Sequence, residues 1–311
     1  MRDHLLASLA EIAEKDERVV FLTGDLGYVV HDHIKAVCGN RYINVGIAEQ
    51  NMTALAAGLA LEGNTVFTYS LGNFPSIRCL EQIRNDICYH RANVKILAVG
   101  GGLVYGNQGI THHATEDLAL MRVMPNMRVY VPGDAYEAIE CLKDAYNYKG
   151  PAYIRLARNK EKNFHNEYEK LDISKIQMFG DYGEEIQILS CGSILCEALK
   201  LKDILEESGI KVGVASIPRI KPIDKDGIGN LANLAKLLIT IEEHQIAGGL
   251  GGTIAEIISE ISTSHAVLYR VGLNDTFSEI TGTQEFLRDE YCLSAKKLAP
   301  VIMGAYKELC E

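Results

Sequence analysis

Short apolar runs, bounded by glycine, asparagine or proline, alternate with segments of helical period along nearly the whole chain, and that alternation leaves few folds open. Arg18–Thr23, Tyr42–Val45, Thr65–Tyr69, Val94–Val99 and Arg128–Val131 are mainly apolar runs rather than strict in–out alternations, as expected of strands covered on both faces. Between them, Leu5, Leu9, Ile12 and Ala13 share one helical face. So do Ala135, Ala138, Ile139, Leu142 and Ala145, where Pro132-Gly133-Asp134 offers a turn and an N-cap. Strand and helix in alternation predict an α/β fold with mainly parallel sheets, each layered between helices.

At 311 residues the chain is too long for one ordinary domain. Its texture changes after Arg158, where Asn159–Asp172 is charged and aperiodic. This predicts two three-layer α/β domains, 1–165 and 180–311, joined by a linker at 166–179. Ile186–Leu189, Lys211–Val214, Leu237–Ile241 and Ala266–Arg270 read as strands of the second. Thr253-Ile-Ala-Glu256 reads as a capping box opening a helix with Ile254, Ile257, Ile258 and Ile261 on one face. A net charge of −10 argues against nucleic acid or an anionic membrane as partner. No apolar stretch approaches a membrane span, and the start lacks the pattern of a signal peptide. Eight scattered cysteines without a C-x-x-C suit reduced, mostly buried thiols. A cytoplasmic protein is the expectation.

The segment Ala48–Leu61 predicts a helix that is apolar nearly all round, with Met52, Leu55, Ala56, Leu59 and Ala60 on one stripe and Ala54, Ala57, Gly58 and Leu61 on the other. Such a helix is expected to be buried on all sides, either in the core or across a subunit interface. Glu49 stands in its first turn. A first-turn acid is favoured by the helix dipole alone, by tenths of a kcal/mol, so its position does not by itself assign it a task.

The segment around it does. Val45-Gly-Ile-Ala-Glu-Gln-Asn-Met52 resembles the pyrimidine-binding domain of transketolase and of deoxyxylulose phosphate synthase. The resemblance implies that Glu49 hydrogen-bonds the aminopyrimidine of thiamine diphosphate and activates it, a task for which an apolar surround would strengthen the bond. Tyr69-Ser-Leu-Gly-Asn-Phe-Pro-Ser-Ile-Arg78 is similar to the family's aromatic segment. Phe74 is the best match to the ring that stacks on the pyrimidine, with Tyr69 and Arg78 as the other candidates. Gly100-Gly-Gly-Leu-Val-Tyr-Gly-Asn-Gln-Gly-Ile-Thr-His-His113 resembles the family's Gly-x-Thr-His stretch, which implies that His112 faces the substrate. The adjacent histidines cannot both point at one ion from an extended chain, so no metal site is expected of them. Tyr153-Ile-Arg-Leu-Ala-Arg158 resembles the strand end that offers an arginine to the acceptor phosphate, with Arg158 aligned best and Arg155 as substitute. Arg2 matches a second phosphate arginine, and Asp25 matches the family's Ala-Asp-Leu aspartate. Ile241-Glu-Glu-His-Gln-Ile-Ala-Gly-Gly-Leu-Gly-Gly252 looks like the signature of the family's C-terminal domain.

Three family positions differ. Gln108 stands for an aspartate before Gly-x-Thr-His, Val29 for a serine, and Gly100–Gly102 for a loop histidine or arginine, which leaves the usual sugar phosphates open. Gly24-Asp25-Leu26 with Asn51 is spaced like a Mg²⁺- and diphosphate-binding motif, but Leu26 replaces the required glycine and Asn51 belongs to the pyrimidine side. The chain thus resembles the C-terminal subunit of a split transketolase. That implies an N-terminal, diphosphate-binding partner subunit holding most of the Mg²⁺ site, a homodimer core, and an α2β2 assembly acting on sugar substrates. The β subunit of a 2-oxo acid dehydrogenase E1 and a deoxyxylulose phosphate synthase-like condensing enzyme are the rivals within that chemistry; an assembly-only partner is the non-enzymatic alternative. Two decoys are set aside. His31-Asp-His33 cannot share a helical face. Gly248–Gly252 lacks the G-x-G-x-x-G spacing that a nucleotide-binding oxidoreductase would use.

Overall fold

The computed structural model describes residues 1–158, 161–166, 168–263 and 265–311. Asn159, Lys160 and Glu167, which belong to the charged stretch and the expected linker, lie outside the described residues, as does Ser264. The apolar runs form strands β1 (Val19–Thr23), β2 (Tyr42–Asn44), β3 (Thr65–Leu71), β4 (Val94–Val99), β5 (Arg128–Tyr130) and β6 (Ala152–Leu156). Further strands are β7 (Gln177–Phe179), β8 (Ile186–Ser190), β9 (Val212–Ser216), β10 (Arg219–Lys221), β11 (Leu237–Gln245) and β12 (Val267–Leu273). The first sheet runs β10-β5-β6-β4-β3-β1-β2 and the second β12-β11-β8-β9-β7. Both are parallel except at one edge, where β10 pairs antiparallel with β5 and β7 with β9. The two antiparallel strands had no signature in the sequence: neither Gln177-Met-Phe179 nor Arg219-Ile-Lys221 belongs to an apolar run. β7 falls at the end of the expected linker, and β10 follows β9 yet joins the first sheet.

Helices α1 (Arg2–Lys15), α2 (Asp32–Cys38), α3 (Glu49–Leu61), α4 (Leu80–Gln82, continuing as a π-turn over Ile83–Cys88), α5 (Asp117–Val123) and α6 (Ala135–Asn147) cover the first sheet. α7 (Leu195–Glu207), α8 (Lys225–Leu234), α9 (Leu250–Ser259), α10 (Gln284–Glu290) and α11 (Ala295–Cys310) belong to the second half. Asp134 caps α6 as its turn predicted, accepting the N–H groups of Tyr136 and Glu137. The expected capping box does not cap. α9 begins at Leu250, and the Thr253 hydroxyl donates back to the carbonyl of Gly249. The cap comes instead from Glu242, whose carboxylate accepts Leu250 N–H at 2.7 Å and Gly251 N–H at 2.8 Å. A long-range anion at the helix N-terminus has displaced the local one.

α3 also departs from expectation. Met52, Thr53, Ala56, Ala57 and Ala60 are buried, but Asn51, Ala54, Leu55, Gly58 and Leu61 face outward, Leu61 being 59% exposed. The helix is apolar on both sides and covered on one.

Candidate functional site

Parallel strands send all their carboxyl ends to one edge of a sheet, and loops leaving that edge converge there. β1, β3, β4 and β6 are parallel neighbours, with β2 beyond β1. The Gly24–Asp25 turn follows β1, and the approach to Glu49 follows β2. Phe74–Arg78 follows β3, the Gly-rich loop with His112 follows β4, and Arg158 follows β6. Topology alone therefore gathers residues from five separate stretches of chain.

Glu49 opens α3 after a turn in which Gly46 takes a φ of 76° and Ala48 N–H bonds back to the Gly46 carbonyl. Its side chain is 2% exposed. Oε1 accepts the Ser70 hydroxyl at 3.1 Å and Oε2 accepts Arg78 Nη1 at 2.7 Å, while Gly24 backs onto the carboxylate. The apolar surround expected for this acid is thus replaced by a hydroxyl and a guanidinium. Arg78 also lies over the Phe74 ring, 4.3 Å from its centre, and its backbone carbonyl is held by Gln50. The His112 ring meets Phe74 edge-on at 5.2 Å. Asn73 donates to the carbonyl of Thr111 at 2.8 Å, tying the Phe74 loop to the His112 loop. Glu49, Arg78, Phe74 and His112 are one cluster.

Tyr69 is elsewhere. Successive strand residues face opposite sides, so on β3 Ser70 points at Glu49 and Tyr69 points away. It is buried against Phe21 and His31, and burial pushes its phenol up. His31 packs on it at 4.4 Å and burial, with the charge of Arg2, pushes it down to about 4, while His33 is exposed. Asp25 Oδ1 accepts Asn44 Nδ2 at 2.9 Å and the Tyr28 hydroxyl at 2.9 Å, bonds that hold its carboxyl low. Asn51 stands on the outer face of α3.

The arginines separate cleanly. Arg155 is buried in an ion pair with Asp117 at 3.0 Å and donates to the carbonyls of Ala114 at 2.5 Å and Glu243 at 2.9 Å. It is 5% exposed and its charge is paired with Asp117, so it stands away from the surface that Arg158 offers. Arg158 is exposed, lies 5.1 Å from the Tyr105 ring centre, and shares with Arg2, Asn107, Thr283 and Gln284 a pocket of about 350 Å³ that also carries Glu161 and Glu285. Gln108 is exposed on the turn next to Asn107. Burial lowers the pKa of His112, favouring the neutral ring, and Thr111 Oγ1 lies 3.0 Å from its Nδ1.

Ser70 and Tyr105 were missed in the sequence. Ser70 could have been found by alternation from Tyr69. Tyr105, between Arg158 and the His112 ring at 6.5 Å, carries no local signal. What this cluster can do follows from its parts. A buried carboxylate beside an aromatic face suits a planar heterocycle with a protonatable nitrogen, and a neutral imidazole alongside can hold or pass a proton. Among the described residues no three His, Cys, Asp or Glu side chains gather as metal ligands, and no helix is long and apolar enough to cross a membrane.

Residues 1–162 match the family "Transketolase, pyrimidine binding domain" and residues 175–298 match "Transketolase, C-terminal domain". The chain is 37% identical over 311 residues to a "Putative transketolase C-terminal section" of Methanocaldococcus jannaschii, covering 99% of this chain and 96% of that protein. It is 32% identical over 301 residues to a 6-deoxy-6-sulfo-D-fructose transketolase subunit of Clostridium sp., covering 96% of this chain and 92% of that protein. A solved structure described as "Split gene transketolase, inactive beta4 tetramer" superposes with a TM-score of 0.89 at 34% identity, covering 98% of both chains.

Proposed function

This chain belongs to the transketolase family, and from that premise we propose that it is the subunit carrying the pyrimidine-binding and C-terminal domains of a split, thiamine diphosphate-dependent transketolase. The enzyme moves a two-carbon ketol unit between sugar substrates. The observation that carries this reading is the cluster of Glu49, Arg78, Phe74 and His112 at the carboxyl edge of the first sheet.

Thiamine diphosphate, when bound, supplies the carbon nucleophile that accepts and releases the ketol unit. This chain's part is to hold it and to manage protons. The buried Glu49 carboxylate would hold the proton at the pyrimidine N1′ and Phe74 would supply a stacking face, with Arg78 beside both. His112, neutral near pH 7, faces the substrate and exchanges a proton with its oxygen. Arg158 and Arg2, on one pocket, suit a phosphate on the acceptor, because two guanidiniums can grip its oxygens bidentately.

The other half of the cofactor needs hard oxygen ligands for Mg²⁺ and donors for the diphosphate. Among the described residues no three His, Cys, Asp or Glu side chains gather to supply them, and Asp25 has one oxygen bonded to Asn44 and Tyr28. We therefore assign Mg²⁺ and the diphosphate mainly to a partner chain, with the outward apolar face of α3 as the homodimer seam of an α2β2 assembly. The division into 1–165 and 180–311, and a cytoplasmic location, complete the proposal.

Calorimetric titration of thiamine diphosphate with Mg²⁺ into the purified chain tests it. Weak binding and no turnover are expected alone, and tight binding with ketol transfer after adding a diphosphate-binding partner subunit. Tight binding and ketol transfer by this chain alone would overturn the reading.

A further inference from the structure

The Glu242-Glu243-His244 motif at the end of β11 has no task in the function proposed above. Its three side chains reach three different places. Glu242 closes the N-terminus of α9, as described. That carboxylate sits where Gly248–Gly252 would otherwise present N–H groups to a nucleotide phosphate, so the glycine-rich turn already has its anion. His244 crosses to the first half of the molecule, its Nε2 accepting Ala119 N–H at 3.3 Å and its Nδ1–H donating to the Gln245 carbonyl at 2.7 Å.

Glu243 reaches the loop that carries His112. That loop is closed at its neck by Gly102 and Ala114, which exchange N–H···O bonds of 2.8 and 3.0 Å. Glu243 Oε2 accepts Leu103 N–H at 3.2 Å, one residue inside the neck. The same carboxylate takes Arg288 Nε at 2.5 Å and Gln284 Nε2 at 3.0 and 2.9 Å. Arg155 ties the Ala114 carbonyl to that of Glu243 from below. Gly282 N–H bonds the Gly106 carbonyl at 3.3 Å further along the loop, and a Cβ at Gly106 would stand 2.5 Å from the Gly282 carbonyl oxygen.

A buried ion pair contributes little net stability, because desolvation offsets its attraction, whereas apolar residues of the same volume would fill the space as well. What apolar residues could not do is accept the Leu103 N–H and fix its direction. Charge-assisted bonds from three donors hold this carboxylate in one orientation, and the loop it grips joins His112 to the rest of the site.

We propose that Glu243, held by Arg288 and Gln284, is a positioning residue: the second half of the molecule clamps the neck of the His112 loop through it and so sets where the imidazole stands beside Phe74. The proposal rests on His112 facing the substrate, but its first test needs neither cofactor nor partner. Hydrogen exchange on the purified chain compares wild type with the E243M/R288M double variant, which removes the pair without stranding a buried charge. Amides of 103–113 should exchange about tenfold faster or more, while those of α3 stay unchanged. The His112 ring, followed by NMR, should titrate closer to its ordinary value as the loop admits water. If the double variant does not fold, Q284M, which removes one of the three donors that orient Glu243 and strands no charge, should give the same two changes. In the reconstituted enzyme either variant should lower kcat about tenfold or more with thiamine diphosphate affinity held within about twofold. Folded variants with wild-type exchange in 103–113 and wild-type His112 titration would overturn the clamp, whatever the calorimetry says of the enzyme reading.

Discussion

Arg78 answers two different groups at once: its Nη1 lies 2.7 Å from Oε2 of Glu49, and its guanidinium carbon lies 4.3 Å from the centre of the Phe74 ring. Arg78 is 44% exposed, so the Coulomb part of the pair is screened, but Glu49 is buried and among the described residues would keep Ser70 alone as donor without it. R78M should therefore lower the urea-unfolding free energy by about 1–3 kcal/mol through the stranded carboxylate. The E49Q/R78M double variant should recover most of that loss. Equal stabilities for R78M and wild type would show that the pair has no structural weight.

Glu49 itself is tested by E49Q, which keeps shape and loses the shared proton. With the partner subunit present, hydrogen exchange at C2 of bound thiamine diphosphate, read by NMR, should slow by about 10²–10⁴-fold. Unchanged exchange would remove Glu49 from the role assigned to it.

His112 and Arg158 should separate kinetically. H112A should depress kcat with thiamine diphosphate affinity retained. R158A should raise the KM of a phosphorylated acceptor by about tenfold to a hundredfold, the worth of a charged hydrogen bond. An unmoved KM would mean that the acceptor phosphate, if it has one, is not held in the pocket of Arg2 and Arg158.

A buried acid cluster where the two halves meet makes stability depend on pH. Burial pushes Glu137 up to about 7 against the Gly133 N–H bond that favours its charge. Burial also opposes the His165 cation, but its bond to Asp134 and the charge of Glu137 outweigh burial and raise it. Asp134, despite burial, is held down to about 2 by His165 and three backbone N–H groups. A raised acid keeps its proton in the folded state while the unfolded chain loses it, so Glu137 withdraws stability as pH rises from about 4.5 to about 7. The contribution of His165 is complete below its unfolded value of 6.5 and is lost as pH rises through its higher folded value. His31, pushed down to about 4, and Lys95, pushed down to about 7, act in the opposite sense, so the difference between variants isolates Glu137: between pH 5 and 7 wild type should lose stability relative to E137Q in urea melts. An E137Q slope equal to wild type between pH 5 and 7 would contradict this.

The outward stripe of α3 should seat a second copy. L55D places a charge on it and should convert the dimer to monomer in sedimentation equilibrium, with the secondary structure retained. A dimer that survives L55D would move the seam elsewhere.

What could be read in advance, and what could not, divides by range. β1, β3 and β4 were legible because a mainly apolar run such as Val94–Val99, broken by Lys95, has one explanation in an α/β chain. Local motifs pointed to Glu49, Phe74 and His112, and the structure brings these side chains together around Arg78. Tyr69 misled because the segment's length hides which residue of β3 faces α3; one step along a strand changes the face. Arg155 misled because its partners, Asp117, Ala114 and Glu243, are far away in sequence. The capping box at Thr253–Glu256 failed for the same reason, since Glu242 outcompeted it.

β10 has a consequence for how the chain can be divided. Parallel β5 would otherwise present a bare row of N–H and C=O groups at the margin of the first sheet, an invitation to pair with another molecule. β10 occupies that margin with three residues that come only after β9 has been laid down in the other sheet. The two halves are therefore sewn together, and neither a truncation at residue 165 nor exchange of the second half for a foreign one leaves the first half finished. A division of this chain between β6 and β10 would cut through that stitch.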